Sequence, residues 1–557
     1  MCCSASIKAV GTKPAQTFMK KSILATLCLA SLLGLFGCAK DGLSDESLPP
    51  FAAIPEMCPY EGGDCFDHIE ENAFVNVAEN PVSAFSVDVD GASYTIMRKM
   101  IQRYKSGCPL AFPMSSVRIE EYLNYFKFDY SEPSDGSVLA ADAEMVSCPW
   151  DSSHLLLRLG LKGQTVSESK LPKSNYVFLV DVSGSMASPD KLDLLKSGLV
   201  RLLANLQPDD RVSIVTYSGN VEKILESTPV SESSVIRSAI LSLTASGITR
   251  GGDALEMAYE EALANFVVGG NNRVVMGTDG DFNVGVTDTK ELTDMVRKYA
   301  SRGIYLTVCG FGLGNLNDAM MESISNHGNG TYEYIDSEEE MVRVFVDEVS
   351  KFHTVASDCK VRVTFNPALV SSYRLIGYEN RRISSAAYDD ESTDAGDIGS
   401  GQTITALYEL LPTSESIPTS EFLPTSEHLP TSEFFSAASS DSSVVLGSSV
   451  APVLGTFEVR YKEIQVCASQ KHPTQGLTAR EISIPLPSKP ADTMSANMSF
   501  AAGVASYGML MKNSQYKGNS TFDTASELVR GGLSFDPKGY RAQLLSLIQT
   551  AKSIERY

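Results

Sequence analysis

The sequence predicts an α/β protein: a central, doubly wound, mostly parallel sheet, with a small α+β module before it and a β plus helical region after it. Three observations lead there. Between residues 174 and 352, strand-like apolar runs alternate with amphipathic helical runs, the pattern of a parallel sheet covered on both faces. After 352 the runs become shorter alternating strands, and the chain ends in helical stretches. At 557 residues, with 43% apolar and 20% charged residues, the composition is globular and long enough for several units of ordinary size.

The amino end reads as an address. Met19-Lys20-Lys21 precedes an apolar run from Ile23 to Phe36, and Leu35-Phe36-Gly37-Cys38 reads as a lipoprotein cleavage box, with Phe36 departing from the usual small residue. Residues 1–37 are therefore expected to be a signal peptide, with 1–18 an extension upstream of a better start at Met19. The apolar run is too short for a comfortable membrane span. Cys38 is expected to be acylated, which implies a lipid-anchored protein of the bacterial cell envelope, at the outer membrane. Removing residues 1–37 takes away four lysines and no acids, moving the net charge from −22 to −26. Such an acidic chain is not a general nucleic-acid binder, which needs basic surface to neutralise phosphates. Beyond Cys38 lie Cys58, Cys65, Cys108, Cys148, Cys309, Cys359 and Cys467, an odd number with no zinc-like spacing. Cys309 falls within a strand-like run and reads as a small buried apolar residue.

Residues 38–71, rich in Pro, Gly and acids, read as a lipidated tether. Residues 72–150 form the small module. It has the alternating Phe85-Ser86-Val87-Asp88-Val89-Asp90 and helix-like stretches at Ala92–Tyr104 and Ser115–Phe126. Asp88 and Asp90 invite a metal reading, but the sequence offers them no partners, so a polar strand face is the expectation. Within 174–352, strands are predicted at Tyr176–Val180, Val212–Tyr217, Val274–Gly277, Tyr305–Phe311 and Thr331–Ile335. Helices are predicted at Lys191–Leu206, Asp253–Phe266, Lys290–Ala300 and Glu338–Phe352. The region 353–557 carries strand-like Lys360–Phe365 and Gly455–Tyr461, separated by a low-complexity loop over 411–452. There Pro-Thr-Ser-Glu recurs at 412, 418, 424 and 430, a composition that cannot bury enough apolar surface to offset its chain entropy. Helical stretches follow at Met494–Met511 and Thr524–Val529, then a last helix with Asp536 as N-cap and Pro537 in the first turn.

The chemistry lies in three loops. Asp181-Val182-Ser183-Gly184-Ser185 leaves the strand-like Tyr176–Val180 with oxygen-bearing side chains at alternate positions. Ligands of α/β sheets bind at the carboxyl ends of such strands. Thr249 and Asp279 stand in two further loops that the alternation places nearby. Hard divalent cations take about six oxygens, so these side chains together suit one where the pentapeptide alone does not. Ordinary turn and N-cap chemistry is the competing explanation of Asp, Ser and Gly after a strand.

Asp181, Ser183, Ser185, Thr249 and Asp279 together resemble the metal-ion-dependent adhesion site of the von Willebrand factor type A domain. Phe85-Ser86-Val87-Asp88-Val89-Asp90, Val117-Arg118-Ile119-Glu120-Glu121-Tyr122 and Thr278-Asp279-Gly280-Asp281-Phe282-Asn283 resemble bacterial lipoproteins carrying that domain. The resemblance implies Mg²⁺, with Mn²⁺ or Ca²⁺ as alternatives, touched directly by the hydroxyls while the aspartates often act through water. It also implies a protein or peptide partner whose acidic residue completes the metal shell. No His-Glu-x-x-His, Gly-x-Ser-x-Gly or phosphate-binding loop is present, and none of the six histidines lies in the three loops. The expected class is a binding module rather than an enzyme. A metal-dependent hydrolase and a structural envelope scaffold are the alternatives.

Overall fold

Alternate residues of the strand Ser174–Asp181 point to opposite faces, and both faces are buried. Tyr176, Phe178 and Val180 enter one apolar core with Leu195, Leu199 and Ile236, while Val177 and Leu179 enter another with Leu255 and Tyr259. That double burial is why the run is apolar throughout and why the strand is central. The computed structural model describes residues 63–106, 113–247, 252–280, 289–413, 453–463 and 477–554. Cys38, Thr249, Asp281 and the Pro-Thr-Ser-Glu repeats from 418 onward lie outside the described residues.

Among the described residues the central sheet has six strands, in the order Tyr332–Ile335, Ile304–Phe311, Asn271–Thr278, Ser174–Asp181, Arg211–Tyr217, Val221–Pro229. The first five run parallel, and the last pairs antiparallel with Arg211–Tyr217. The chain leaves Ser174–Asp181 to one side and later returns on the other, so the end of that strand is a topological switch point. Helices Leu194–Leu203, Gly252–Ala264, Thr289–Ala300 and Asp318–His327 belong to this domain.

The predicted helix Glu338–Phe352 is interrupted. A regular helix covers Glu338–Val342, a wider turn covers Arg343–Asp347, and a tight turn closes at Phe352. The buried Arg343 guanidinium sits at the break, bonding Glu333 (2.7 Å), Glu340 (2.6 Å) and Glu348 (2.5 Å).

Flanking strands from both sides of this domain pair with one another. One antiparallel sheet runs Val75–Asn76, Val370–Ile376, Thr403–Pro412, Leu155–Gly163, Leu139–Ser147. The second has Thr354–Phe365 between Gly455–Glu463, which continues to Thr478–Pro485, and the strands Val82–Ser86 and Ile398–Gly399. Leu155, Leu157, Leu159 and Leu161 of the first sheet and Val361, Val363, Phe457 and Val459 of the second share one core, so the two form a sandwich. The central domain is thus inserted in a sandwich built from residues read as separate modules in the sequence. Its two chain crossings grip the same turn: Gly163 N–H donates to Gln402 O (2.9 Å), Val166 N–H to Ser400 Oγ (2.9 Å), and Ser400 N–H to His353 O (2.8 Å).

Helices Ala92–Lys105, Ile119–Asn124 and Ala496–Met511 fill the space between the sandwich and the central domain, with Tyr94, Tyr122 and Tyr507 in a core that also holds Val177 and Leu179. Ala496–Met511 is buried on nearly all sides, which accounts for its apolar composition. Among the described residues no helix is long and apolar enough to cross a membrane. Cys309, Cys148 and Cys359 are buried free thiols, and Cys65 is disulfide-bonded.

Asp88 and Asp90 do not form a polar strand face. The strand ends at Ser86, and both carboxylates turn inward, 2% and 1% exposed, because Arg381 and the Tyr332 N–H receive them.

Candidate metal centre

Asp181 closes its strand at the switch point and is fully buried. Its Oδ1 accepts the Ser183 N–H (2.8 Å) and its Oδ2 accepts the Thr278 hydroxyl (3.2 Å). Burial pushes the carboxyl up to about 7, hydrogen bonds from Ser183 oppose the rise, and the nearby Asp279 adds to it. The loop then turns over Gly184–Ala187, pinned by Met186, whose side chain is fully buried in the core. This turn brings Ser183 Oγ and Ser185 Oγ to 2.9 Å from each other. Ser183 is buried and Ser185 exposed, so the hydroxyl pair leads from the protein floor to solvent.

Asp279 follows the neighbouring strand Asn271–Thr278 and is fully buried. Lys191, on the wide turn Pro189–Asp193, donates from Nζ to Asp279 Oδ2 (2.9 Å) and Asn315 Oδ1 (3.1 Å). Gly280 has φ +88°, and a Cβ there would lie 2.4 Å from Asn317 N, so glycine is required both for conformation and for space. From the third loop, Ser246 N–H donates to Val182 O (2.7 Å) and Gly184 N–H to Gly247 O (3.1 Å). The segment leading to Thr249 is therefore bonded to the Asp181–Ser185 loop.

Asp181, Ser183, Ser185 and Asp279 are brought together at one sheet edge. Lys191, Thr278 and Asn315 were missed in the sequence. Thr278 directly precedes Asp279, which was a usable signal, but Lys191 reads as an ordinary surface lysine at a helix start. The donor set fits a hard cation. Adjacent ligands of an octahedral ion at ~2.1 Å are about 3 Å apart, the spacing of the two serine oxygens. No nitrogen or sulfur donor comes from the three loops, which suits magnesium, manganese or calcium rather than softer metals.

Known proteins show the same parts. The family model "von Willebrand factor type A domain" matches residues 175–348, "Uncharacterized protein YfbK, C-terminal" matches 350–554, and "von Willebrand factor" matches 61–158. The chain is 35% identical to YfbK of Escherichia coli (strain K12) over 497 residues, 88% of this chain and 81% of that protein. It is 32% identical to the human inter-alpha-trypsin inhibitor heavy chain H3 over 194 residues, 32% of this chain and only 21% of that protein. Among solved structures, a von Willebrand factor type A protein from Catenulispora acidiphila covers 77% of this chain at 14% identity, with a TM-score of 0.40. An inserted von Willebrand factor type A domain and a match running through most of both chains lead to one conclusion: this chain belongs to the YfbK family.

Proposed function

We propose that the protein captures a protein or peptide partner through a divalent cation held by Ser183, Ser185 and Thr249, with Asp181 and Asp279 behind them. The observation that carries this reading is the hydroxyl pair, 2.9 Å apart, opening to solvent above two buried carboxylates. Von Willebrand factor type A domains generally mediate protein–protein interactions, which favours a macromolecular partner. A cation held by these residues would supply Lewis acidity to which an acidic residue of the partner could bind. Asp181 and Asp279 balance charge, Thr278 and the Ser183 N–H orient Asp181, and Lys191 orients Asp279. None of the six histidines lies in the three loops.

Affinity capture from envelope extracts tests this, using the mature chain and Asp181→Ala with and without chelator. A true partner is lost under both treatments, returns with Mg²⁺ or Mn²⁺, and binds less when one of its acidic residues is changed to the amide. A partner held equally well in chelator and by Asp181→Ala refutes the reading.

The protein is further read as anchored through an acylated Cys38. The lipoprotein box supports this, as does the Cys65 disulfide, chemistry that persists in oxidising compartments. Metabolic labelling with a clickable fatty acid should mark the wild type and not Cys38→Ser. An unlabelled wild type removes the anchor.

A further inference from the structure

A second group of acids lies where the 88–121 segment meets the helix Asp318–His327. Asp88, Asp90, Glu121, Asp318 and Glu322 are all at most 8% exposed as side chains, five carboxyl groups gathered in one place. Two guanidiniums, Arg118 and Arg381, face them. Arg118 bonds Asp318 (2.6 and 3.1 Å) and Glu121, and Arg381 reaches Asp88 (3.1 Å), Asp90 (3.3 Å) and Glu322 Oε1 (3.4 Å). Five carboxyls thus share two guanidiniums in a buried place, an arrangement that a further cation would ease.

Glu322 has one oxygen left over. Its Oε1 accepts from Asn326 (2.9 Å), Asn380 (3.2 Å) and Arg381, whereas its buried Oε2 has no hydrogen-bond partner and lies 4.0 Å from Arg118 Nη2. One oxygen each from Asp88, Glu121 and Glu322 lies within 4.8 Å of the others.

We propose that Asp88, Glu121 and Glu322 hold a calcium ion that clamps the central domain to its flanking module. The donors are all carboxylates, which excludes soft metals. Magnesium binds through one or two carboxylates and keeps several waters, while calcium accepts three or more carboxylates in a flexible shell. A cleft of about 370 Å³ lined by His68, Arg118, Asp318, Glu322 and Glu379 opens beside Glu322. Nothing in this site is shared with Ser183, Ser185 or Asp279, so the two metals can be tested apart.

The test uses the mature chain with Ser183→Ala and Ser185→Ala, which silences the first site, after removal of metal by chelator. Calcium added alone should bind with one ion per chain by calorimetry and raise the melting temperature by several degrees. Adding Glu322→Gln, which keeps the shape and removes the charge, should weaken binding by roughly tenfold or more. Absence of calcium binding in the double-serine variant overturns the proposal, as does equal binding after Glu322→Gln. Should Glu322→Gln fail to fold, the stoichiometry and melting shift of the double-serine variant decide alone.

Discussion

Replacing Asp181 by Asn separates the cost of a buried carboxylate from its use. In the folded, metal-free protein the Asp181 carboxyl sits at about 7 against 3.8 in the unfolded chain. A raised carboxyl means the native state keeps a proton that the unfolded chain releases. Stability is therefore undiminished below about pH 4, falls as pH rises, and carries the full penalty above pH 7. About three pH units at ~1.36 kcal/mol each give up to about 4 kcal/mol. Asn fits the same place: its Oδ1 can accept the Ser183 N–H and its amide can face Thr278 Oγ1. In chelator at about pH 8.5, Asp181→Asn is expected to melt several degrees above wild type, and the gap should close toward pH 4. In excess Mg²⁺ the order should reverse, because only the wild type gains a tightly held ion. Scanning calorimetry across pH and metal measures all three. A wild type that melts as high as Asp181→Asn in chelator at about pH 8.5 refutes the argument that this carboxylate is stored at a cost.

Three further outcomes are expected. Gly280→Ala places a side chain at φ +88° and 2.4 Å from Asn317 N, which should destabilise by about 1–3 kcal/mol in denaturant titrations and weaken metal binding through Asp279. Burial and the nearby Arg273 push His353 down to about 4, so its contribution is complete above about pH 6.5 and is lost as pH falls through 4. Wild type should lose up to about 3 kcal/mol more than His353→Gln between pH 7 and pH 4, read as the difference between two unfolding curves. Replacing residues 414–452 by a short Gly-Ser linker that still spans the two sheets should leave the melting temperature nearly unchanged, since loop-closure entropy varies slowly with length. A loss of several degrees would show that the tract packs on the body.

The sequence made the central sheet readable because burial on both faces writes a nearly pure apolar run, as in Tyr176–Val180 and Val274–Gly277. It did not reveal Val221–Pro229, an edge strand whose Glu222, Lys223 and Glu226 face solvent, so no apolar period marks it. Asp181, Ser183, Ser185 and Asp279 were legible through their oxygens and their places after strands. Lys191 was not, because its partner Asp279 is reached only through the wide turn Pro189–Asp193. The sandwich was invisible for a reason of distance: Val82 pairs with Thr364 across the whole inserted domain, and local patterning says nothing about such partners. The same separation hid the company that Asp88 keeps with Glu322 and Arg381.

The two chain crossings into the central domain give it an unusual mechanical situation. A partner bound as proposed at Ser185 would pull on the carboxyl edge of the sheet, while the crossings clasp the turn Ile398–Gln402 and Arg273 holds Phe352 O (2.9 Å) at the opposite edge. Tension would run along the central strand and divide between two covalent tethers held side by side. Both tethers bond the same turn, so a load taken at one edge of the sheet would be met by a doubled attachment at the other.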